Sequence, residues 1–157
     1  MGRTYQEDPL KVWNFVVEVD GFARAGFTEC LGMERTTEVA TYREGGQNST
    51  EQKSAGQTTY ANITLKRGQI ISTIPGEDDF YNWASDVHSV TGNGVAAQYR
   101  RDFDIVQFDA AGVEVKRWNV VNAFPMRFKP MGDGNAMEKQ GNSIEELELA
   151  HEGFDKV

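Results

Sequence analysis

The sequence of 157 residues predicts a mainly β fold: an antiparallel β-sandwich or barrel with one packed α-helix and a long extended loop. Three observations carry that expectation. Apolar residues alternate with a period of two in several segments, as half-buried strands require. One segment alone has clear helical spacing. Finally, the polar stretch Tyr42–Gly68, with Gly45, Gly46 and Gly56, begins where one strand pattern stops and ends inside another. Its polar part is far longer than the usual connection of about 4–6 residues, so it is either disordered or ordered against a partner.

From the N-terminus, Val12–Val19 places Trp13, Phe15, Val17 and Val19 on one face and Asn14 and Glu18 on the other. Asp20-Gly21 then suits a tight turn. Phe22–Met33 carries Phe22, Phe27, Leu31 and Met33 with glycines at 26 and 32, the pattern of a bent or bulged strand. Thr36–Arg43 is β-prone through Val39 and Tyr42, and the long loop is placed at about residues 43–58. Thr58–Arg67 alternates Ala61, Ile63 and Leu65 with Tyr60, Asn62, Thr64 and Lys66.

Phe80, Trp83, Ala84 and Val87 fall at i, i+3, i+4 and i+7, which predicts a helix over about 77–89. Pro75 and the acids Glu77, Asp78 and Asp79 suit its start, where the helix dipole favours negative charge, and Gly92-Asn93-Gly94 suits its end. Phe103, Ile105 and Gln107 alternate with Asp102, Asp104, Val106 and Phe108, and Asp109–Gly112 turns the chain into Val113–Phe124. Pro125 and Pro130 confine the next segment to an edge or an irregular run. The tail mixes helix-favouring residues with the alternation of Leu147 and Leu149 against Glu146 and Glu148, and it reads as a strand because the sheet has an edge to fill. Neither a repeat nor a linker interrupts residues 1–157, so a single domain is expected.

The chain has 24 acidic and 16 basic side chains, a net charge of −8. That balance argues against a nucleic-acid surface, which needs a basic patch. No run of about 18 apolar residues could anchor it in a membrane. The N-terminus has no apolar secretory core, so assembly in the cytoplasm is expected. Cys30 stands alone, which excludes an internal disulfide and a cysteine cluster for zinc.

Candidate chemistry is sparse. His88 lies beside the apolar stripe of the helix and His151 among carboxylates; no spacing motif brings either into a metal site. Asp102 and Asp104 share a strand face, and with Arg100 and Arg101 beside them they read as a solvated or interface face. Gly132-Asp133-Gly134-Asn135 is a turn without the Lys-Ser/Thr of a phosphate loop. Gly-x-Ser-x-Gly and Cys/His nucleophile patterns are absent, and Cys30 reads as a small buried apolar residue. No catalytic, cofactor or metal residues are therefore predicted, and the expected role is interaction rather than catalysis.

The chain resembles the tube proteins of contractile phage tails and extracellular contractile injection systems, typified by the T4 tail tube protein. The resemblance runs from about Asp8 to Phe154. Its pieces are Asp8-Pro9, Phe15-Val-Val-Glu-Val-Asp-Gly21, Ala25-Gly-Phe-Thr-Glu29 and Leu31-Gly-Met33. Tyr42-Arg-Glu-Gly-Gly46, Tyr60-Ala-Asn-Ile-Thr-Leu-Lys-Arg-Gly68, Phe80-Tyr-Asn-Trp83 and Asp86-Val87 follow. Trp118-Asn-Val-Val-Asn-Ala-Phe-Pro125 and Glu146-Leu-Glu-Leu-Ala-His-Glu-Gly153 complete the order. Each piece is short, and their order and spacing together are specific.

The resemblance implies hexameric rings whose sheets join edge to edge into one inner barrel. Rings stack into a hollow tube inside a contractile sheath, with baseplate or spike-hub and terminator proteins at the ends. The lumen conducts DNA or protein cargo when the sheath contracts, and the finished particle is a virion tail or an extracellular or cell-associated device. The excursion is implied to reach the adjacent ring, through Tyr42, Arg43, Glu44, Gly45, Gly46, Gln47, Asn48, Lys53 and Gly56. The helix is implied to lie outside the wall, with Glu77, Asp78, Asn82 and Asp86 facing the sheath or a neighbouring subunit. Six copies at −8 each give a ring of about −48, so an acidic lumen is expected if part of that charge faces inward. Two other readings stay open: a monomeric lipocalin-like barrel with the loop as a lid, and a tube initiator or baseplate hub component of the same fold.

Overall fold

A computed structural model describes residues 15–19, 27–43, 45–46, 51–68, 79–93, 99–132, 134 and 143–157. Its elements in order are β1 (Phe15–Val19), β2 (Glu29–Leu31), β3 (Arg35–Tyr42), β4 (Gln52–Tyr60), β5 (Ile63–Gly68) and α1 (Asp79–Asn93). β6 (Arg101–Phe108), β7 (Glu114–Lys129), β8 (Ile144–Ala150) and β9 (Gly153–Lys156) follow. Seven strands join in the order β1-β6-β7-β8-β5-β2, with β9 pairing β7 beside that path, and β3–β4 form a ribbon of their own. All the pairings are antiparallel.

The long strand β7 makes two half-sheets out of one chain of pairings. Its first part lies between β6 and β9, and its second part pairs β8. The change comes at Asn122, whose φ of 51° is left-handed, a conformation that Asn tolerates better than most side chains. The Asn122 backbone N–H donates to Asp102 Oδ1 at 2.8 Å, and its Nδ2 donates to Glu152 Oε2 at 2.7 Å. Asn122 therefore pins the corner to both β6 and the β8–β9 link.

The two half-sheets and the helix close over one core. Val17, Val19, Phe103, Ile105, Val120 and Ala123 come from one half, and Ile63, Leu65, Leu147 and Leu149 from the other. The helix adds Phe80 and Trp83, as its spacing predicts. Trp83 is fully buried, and its Nε1 donates to the Tyr99 carbonyl at 2.6 Å. Phe27 meets Phe80 edge to face at 5.5 Å. Arg67 lies 4.7 Å over the Phe80 ring and pairs with Glu145 at 2.5 Å, which ties the helix start to β5 and β8.

Several expectations change here. The loop placed at about 43–58 is a hairpin: Gln52–Tyr60 pairs with Arg35–Tyr42, so about half of that stretch is strand. Its Ser, Thr and Gln side chains hide the pattern because neither face is buried. Of the two settings expected for Pro125 and Pro130, the edge is the one found: β7 continues as regular strand through Pro125 to Lys129, and beyond Ala123 it pairs only β8 among the described residues. The ladder shifts register between Pro125 and Arg127, and a bulge of this kind is where a sheet tolerates a missing N–H. Within Phe22–Met33, the described residues form strand only at Glu29–Leu31, and the helix runs from Asp79 to Asn93. The tail segment is strand β8. Trp13, the Asp20-Gly21 pair, Phe22, Pro75 and Gly94 lie outside the described residues.

Gly32 is the hinge between β2 and β3. Its φ is +85°, and a Cβ there would sit 2.0 Å from the Asn62 carbonyl oxygen. Gly32→Ala should therefore destabilise the fold by at least about 1–3 kcal/mol through forced backbone movement. Thermal unfolding checks this, and an unchanged Tm would contradict it.

Candidate assembly surfaces

The β3–β4 ribbon has no core of its own. Every residue of β3 is exposed, and so is every residue of β4 except Tyr60. Its register runs from Arg35 opposite Tyr60 to Tyr42 opposite Gln52. Between these, Gly56 and Gln57 face the single residue Glu38, a bulge in which a Cβ on Gly56 would lie 3.1 Å from the Glu38 carbonyl oxygen. The Thr37 and Thr58 hydroxyls meet at 3.0 Å across the strands. At the turn, Gly46 has φ 107°, and Arg43 pairs with Glu51 at 3.0 Å.

The side-chain packing that anchors the ribbon lies at its base. Tyr60 packs edge-on against Phe154 at 5.6 Å and beside His151 at 5.7 Å, and Trp118 meets Phe154 at 6.1 Å. His151 Nε2 donates to the Ala61 carbonyl at 2.8 Å. This histidine is thus a structural brace at the hairpin root. A two-stranded hairpin is marginal in water, and long unpaired edges invite another chain.

Tyr42, Arg43, Gly45, Gly46, Lys53 and Gly56 all lie on this ribbon, whereas Glu44, Gln47 and Asn48 fall outside the described residues. On the helix, Asn82 is exposed, while Glu77 and Asp78 lie outside the described residues. Asp86 is engaged within the chain: it pairs with Arg101 at 3.3 Å, and the Arg101 guanidinium lies 5.8 Å over the Trp83 ring. His88 is exposed on α1.

The half-sheet β2-β5-β8-β7 is open at both sides among the described residues. β2 pairs only β5, and β7 beyond Ala123 pairs only β8. One face of this half-sheet covers the core; the other is polar. The register puts Glu29, Lys66, Glu146, Glu148, Arg127 and Lys129 together on that polar face. Lys66 pairs with Glu29 at 3.0 Å, and Arg127 pairs with Glu146 at 2.5 Å and Glu148 at 3.8 Å. Three carboxylates thus meet three cations.

The outward face of the other half-sheet is acidic. Arg117 is surrounded by Asp104 at 2.7 Å, Glu18 at 2.9 Å and Glu114 at 2.9 Å, with Asp155 opposite the neighbouring Asn119. Hydrogen bonds that it donates to Glu114, Asp104 and Glu18 hold its guanidinium even further toward the charged form than usual. Asp104 is a partner in this cluster, and Asp102 caps the Asn122 corner. The adjacent Arg100 and Arg101 pair elsewhere, with Glu152 and Asp86. Sequence reasoning missed Arg117, because its partners Glu18 and Asp104 are separated from it by 99 and 13 positions.

Glu152 accepts hydrogen bonds from Asn122 and Arg100, which lower its pKa below the ordinary 4.5. A carboxylate with a depressed folded-state pKa adds stability above its unfolded pKa and loses it as pH falls through the folded value. The acid limb of the unfolding curve below about pH 4.5 should therefore flatten in Glu152→Gln. Identical acid limbs in the two proteins would contradict this.

Cys30 packs against the core, and burial pushes its thiol up to about 11, which leaves it unreactive at neutral pH. Among the described residues, no group of three or more His, Cys, Asp or Glu side chains could hold a metal ion, and no helix is long and apolar enough to cross a membrane.

Residues 11–155 match the family model described as T4-like virus tail tube protein gp19. No curated protein matches the sequence. A chain of the PVC sheath/tube terminator, an extracellular contractile injection system in its extended state, is similar at 25% identity with a TM-score of 0.77, over 98% of this chain and 99% of that one. The PVC sheath–tube complex contains a chain with 24% identity and a TM-score of 0.75, over 97% and 93% of the two chains. The anti-feeding prophage baseplate contains one with 24% identity and a TM-score of 0.74, over 97% of both. These likenesses agree with the antiparallel β architecture and its single helix. The chain belongs to the T4-like virus tail tube protein gp19 family, and its role is that of a structural tube subunit.

Proposed function

We propose that six copies of this chain close into a ring and that rings stack into a hollow tube. One observation carries the reading: among the described residues β2 pairs only β5 and the second part of β7 pairs only β8, and the half-sheet continues, through β3 and β4, into a ribbon exposed at every described position but Tyr60. Edge-to-edge pairing of β2 with the second part of β7 in a neighbour extends the sheet around the ring. The ribbon then carries the same wall toward the next ring, so that Tyr42, Arg43, Glu44, Gly45, Gly46, Gln47, Asn48, Lys53 and Gly56 form the inter-ring contact.

In this arrangement the polar face of that half-sheet lines the bore. Its described charges compensate one another, in contrast to the acidic lumen that a net charge of −8 suggests, and an acidic cluster gathers instead around Arg117 on the other half-sheet. A wall of paired charges holds neither polyanions nor polycations strongly, which suits passage of DNA or protein cargo. The helix lies on the opposite side of the half-sheet, where Asn82 is available to a contractile sheath, and baseplate and terminator proteins close the ends. The PVC and anti-feeding prophage assemblies support these partners.

Negative-stain microscopy of the purified protein tests the reading. Hollow tubes or stacked six-membered rings are expected; a stable monomer would overturn it and favour the ligand-binding barrel. A tube initiator, hub or terminator of the same fold is the second reading, favoured by the likeness to the PVC terminator chain. Single rings that never stack would be its signature.

A further inference from the structure

Of the strands, α1 packs most extensively against β7 and runs along it. Near the helix start, the Tyr81 ring lies 6.4 Å from Phe128, which sits opposite the buried Leu147 and so faces the helix side. Further along, Asp86 pairs with Arg101, whose register partner on β7 is Ala123. The preceding residue, Phe80, turns inward to Phe27 and to Arg67 on β5, two strands away from β7. Tyr81 turns the other way, toward the margin of β7, and is 60% exposed. Beyond Ala123 that margin pairs with no second strand among the described residues. The ring therefore stands as a ledge over an open sheet edge.

The opposite edge of the half-sheet, β2, has complementary chemistry on both of its faces. On the helix side it carries Cys30, opposite the buried Leu65, and Met33 follows after the Gly32 turn. Both are half-buried and pack against the core from its margin. On the polar side β2 presents Glu29, whereas β7 presents Arg127 and Lys129. Three antiparallel pairings separate β2 from β7, so the two strands run in opposite directions. A copy rotated about the bore axis thus brings its β2 antiparallel to β7, like every other pairing in the sheet. Apolar groups then meet on the helix side of the seam, and acid meets base on the polar side. Adjacent strands lie about 4.8 Å apart, less than the length of a tyrosine side chain.

We propose that Tyr81 anchors the seam between neighbours within a ring, its aromatic ring covering the helix-side face of β2, at Cys30 and Met33, in a second copy of this chain. The inference rests on the ring reading above and gives α1 a part in ring closure, while Asn82 stays exposed beside it. Each copy offers one β2 edge and one Tyr81 ledge, a heterologous contact that closes when the rotation closes. Tyrosine suits this position, because its ring buries a large rigid area while its hydroxyl can stay hydrated at the rim. An aromatic group left largely outside the core of its own chain thereby gains a partner.

Photocross-linking in assembled protein is the test. Benzoylphenylalanine replaces Tyr81, and irradiated rings are separated on a denaturing gel and mapped by mass spectrometry. Covalent multimers are expected, with adducts between chains at residues 27–33. The same photoprobe in place of Val113, on the turn between β6 and β7, should give no adduct in that segment. In parallel, Tyr81→Glu should leave the free subunit folded with an unchanged Tm and shift sedimentation from rings to monomers, whereas Tyr81→Phe should keep the rings. Rings that carry the photoprobe yet give no adduct at residues 27–33 of another chain would overturn this inference alone. Tyr81→Glu rings as abundant as those of wild type would do the same. A wild-type protein that forms no rings would overturn the ring reading and this contact with it.

Discussion

Replacing residues 36–59 with a short turn that joins Arg35 to Tyr60 should abolish tube growth while leaving a folded subunit. These two residues are paired across the ribbon base, so a tight turn can close the gap without moving β2 or β5. No described residue of the removed segment belongs to the core, and the anchors Tyr60, His151 and Phe154 remain. Thermal stability should therefore stay close to that of wild type, because changes at exposed sites away from special features are usually within about 0.5 kcal/mol. Stacking should be lost altogether, since the ribbon carries every described residue of the proposed inter-ring contact. Sedimentation separates the outcomes: single rings are expected, and long tubes from the shortened chain would exclude the ribbon as connector.

Trp83→Ala should be the most damaging point substitution. The indole is fully buried between the half-sheets and the helix, and its Nε1 satisfies the Tyr99 carbonyl at 2.6 Å. Truncating a buried Trp costs about 3–5 kcal/mol through lost burial and the cavity left behind. The Arg101 guanidinium also loses the ring beneath it, while keeping Asp86. A domain of this size has a total stability of about 5–15 kcal/mol, so the variant should sit near its unfolding threshold. Urea unfolding of the isolated subunit checks this, and a loss under about 1 kcal/mol would contradict the placement of the helix on the core.

What the sequence revealed follows from where burial is one-sided. β1 and β5 each bury one face, and β6 does so apart from the buried Val106, so Val17 and Val19, Ile63 and Leu65, and Phe103 and Ile105 print a period of two that reads directly as strand. The helix showed itself for the same reason, through Phe80 and Trp83. β4 buries neither face, so Gln52–Tyr60 carries no alternation and resembles a loop until its partner strand is seen. Pro125 pointed correctly to an edge, but not to the bulge that accommodates it, because a bulge depends on the facing strand rather than on neighbouring residues. Asn122 is a single residue in an unusual conformation, which no pattern announces.

The candidate surfaces divide in the same way. Tyr42, Arg43, Gly45 and Gly46 stood out because glycine and polar residues interrupt strand patterns. The paired charges Glu29, Lys66, Glu146 and Arg127 on the half-sheet did not, because only strand pairing brings them to one face. Likewise, Arg117 gathers Glu18, Asp104 and Glu114 from three strands, and only the register brings them to one guanidinium.

Cryo-electron microscopy of the purified chain tests the central claim most directly. Stacked six-membered rings are predicted, with β2 of one copy paired to the second part of β7 of its neighbour and the β3–β4 ribbon crossing into the adjacent ring. A population of discrete monomers, or rings whose ribbons fold back onto their own subunits, would contradict the account.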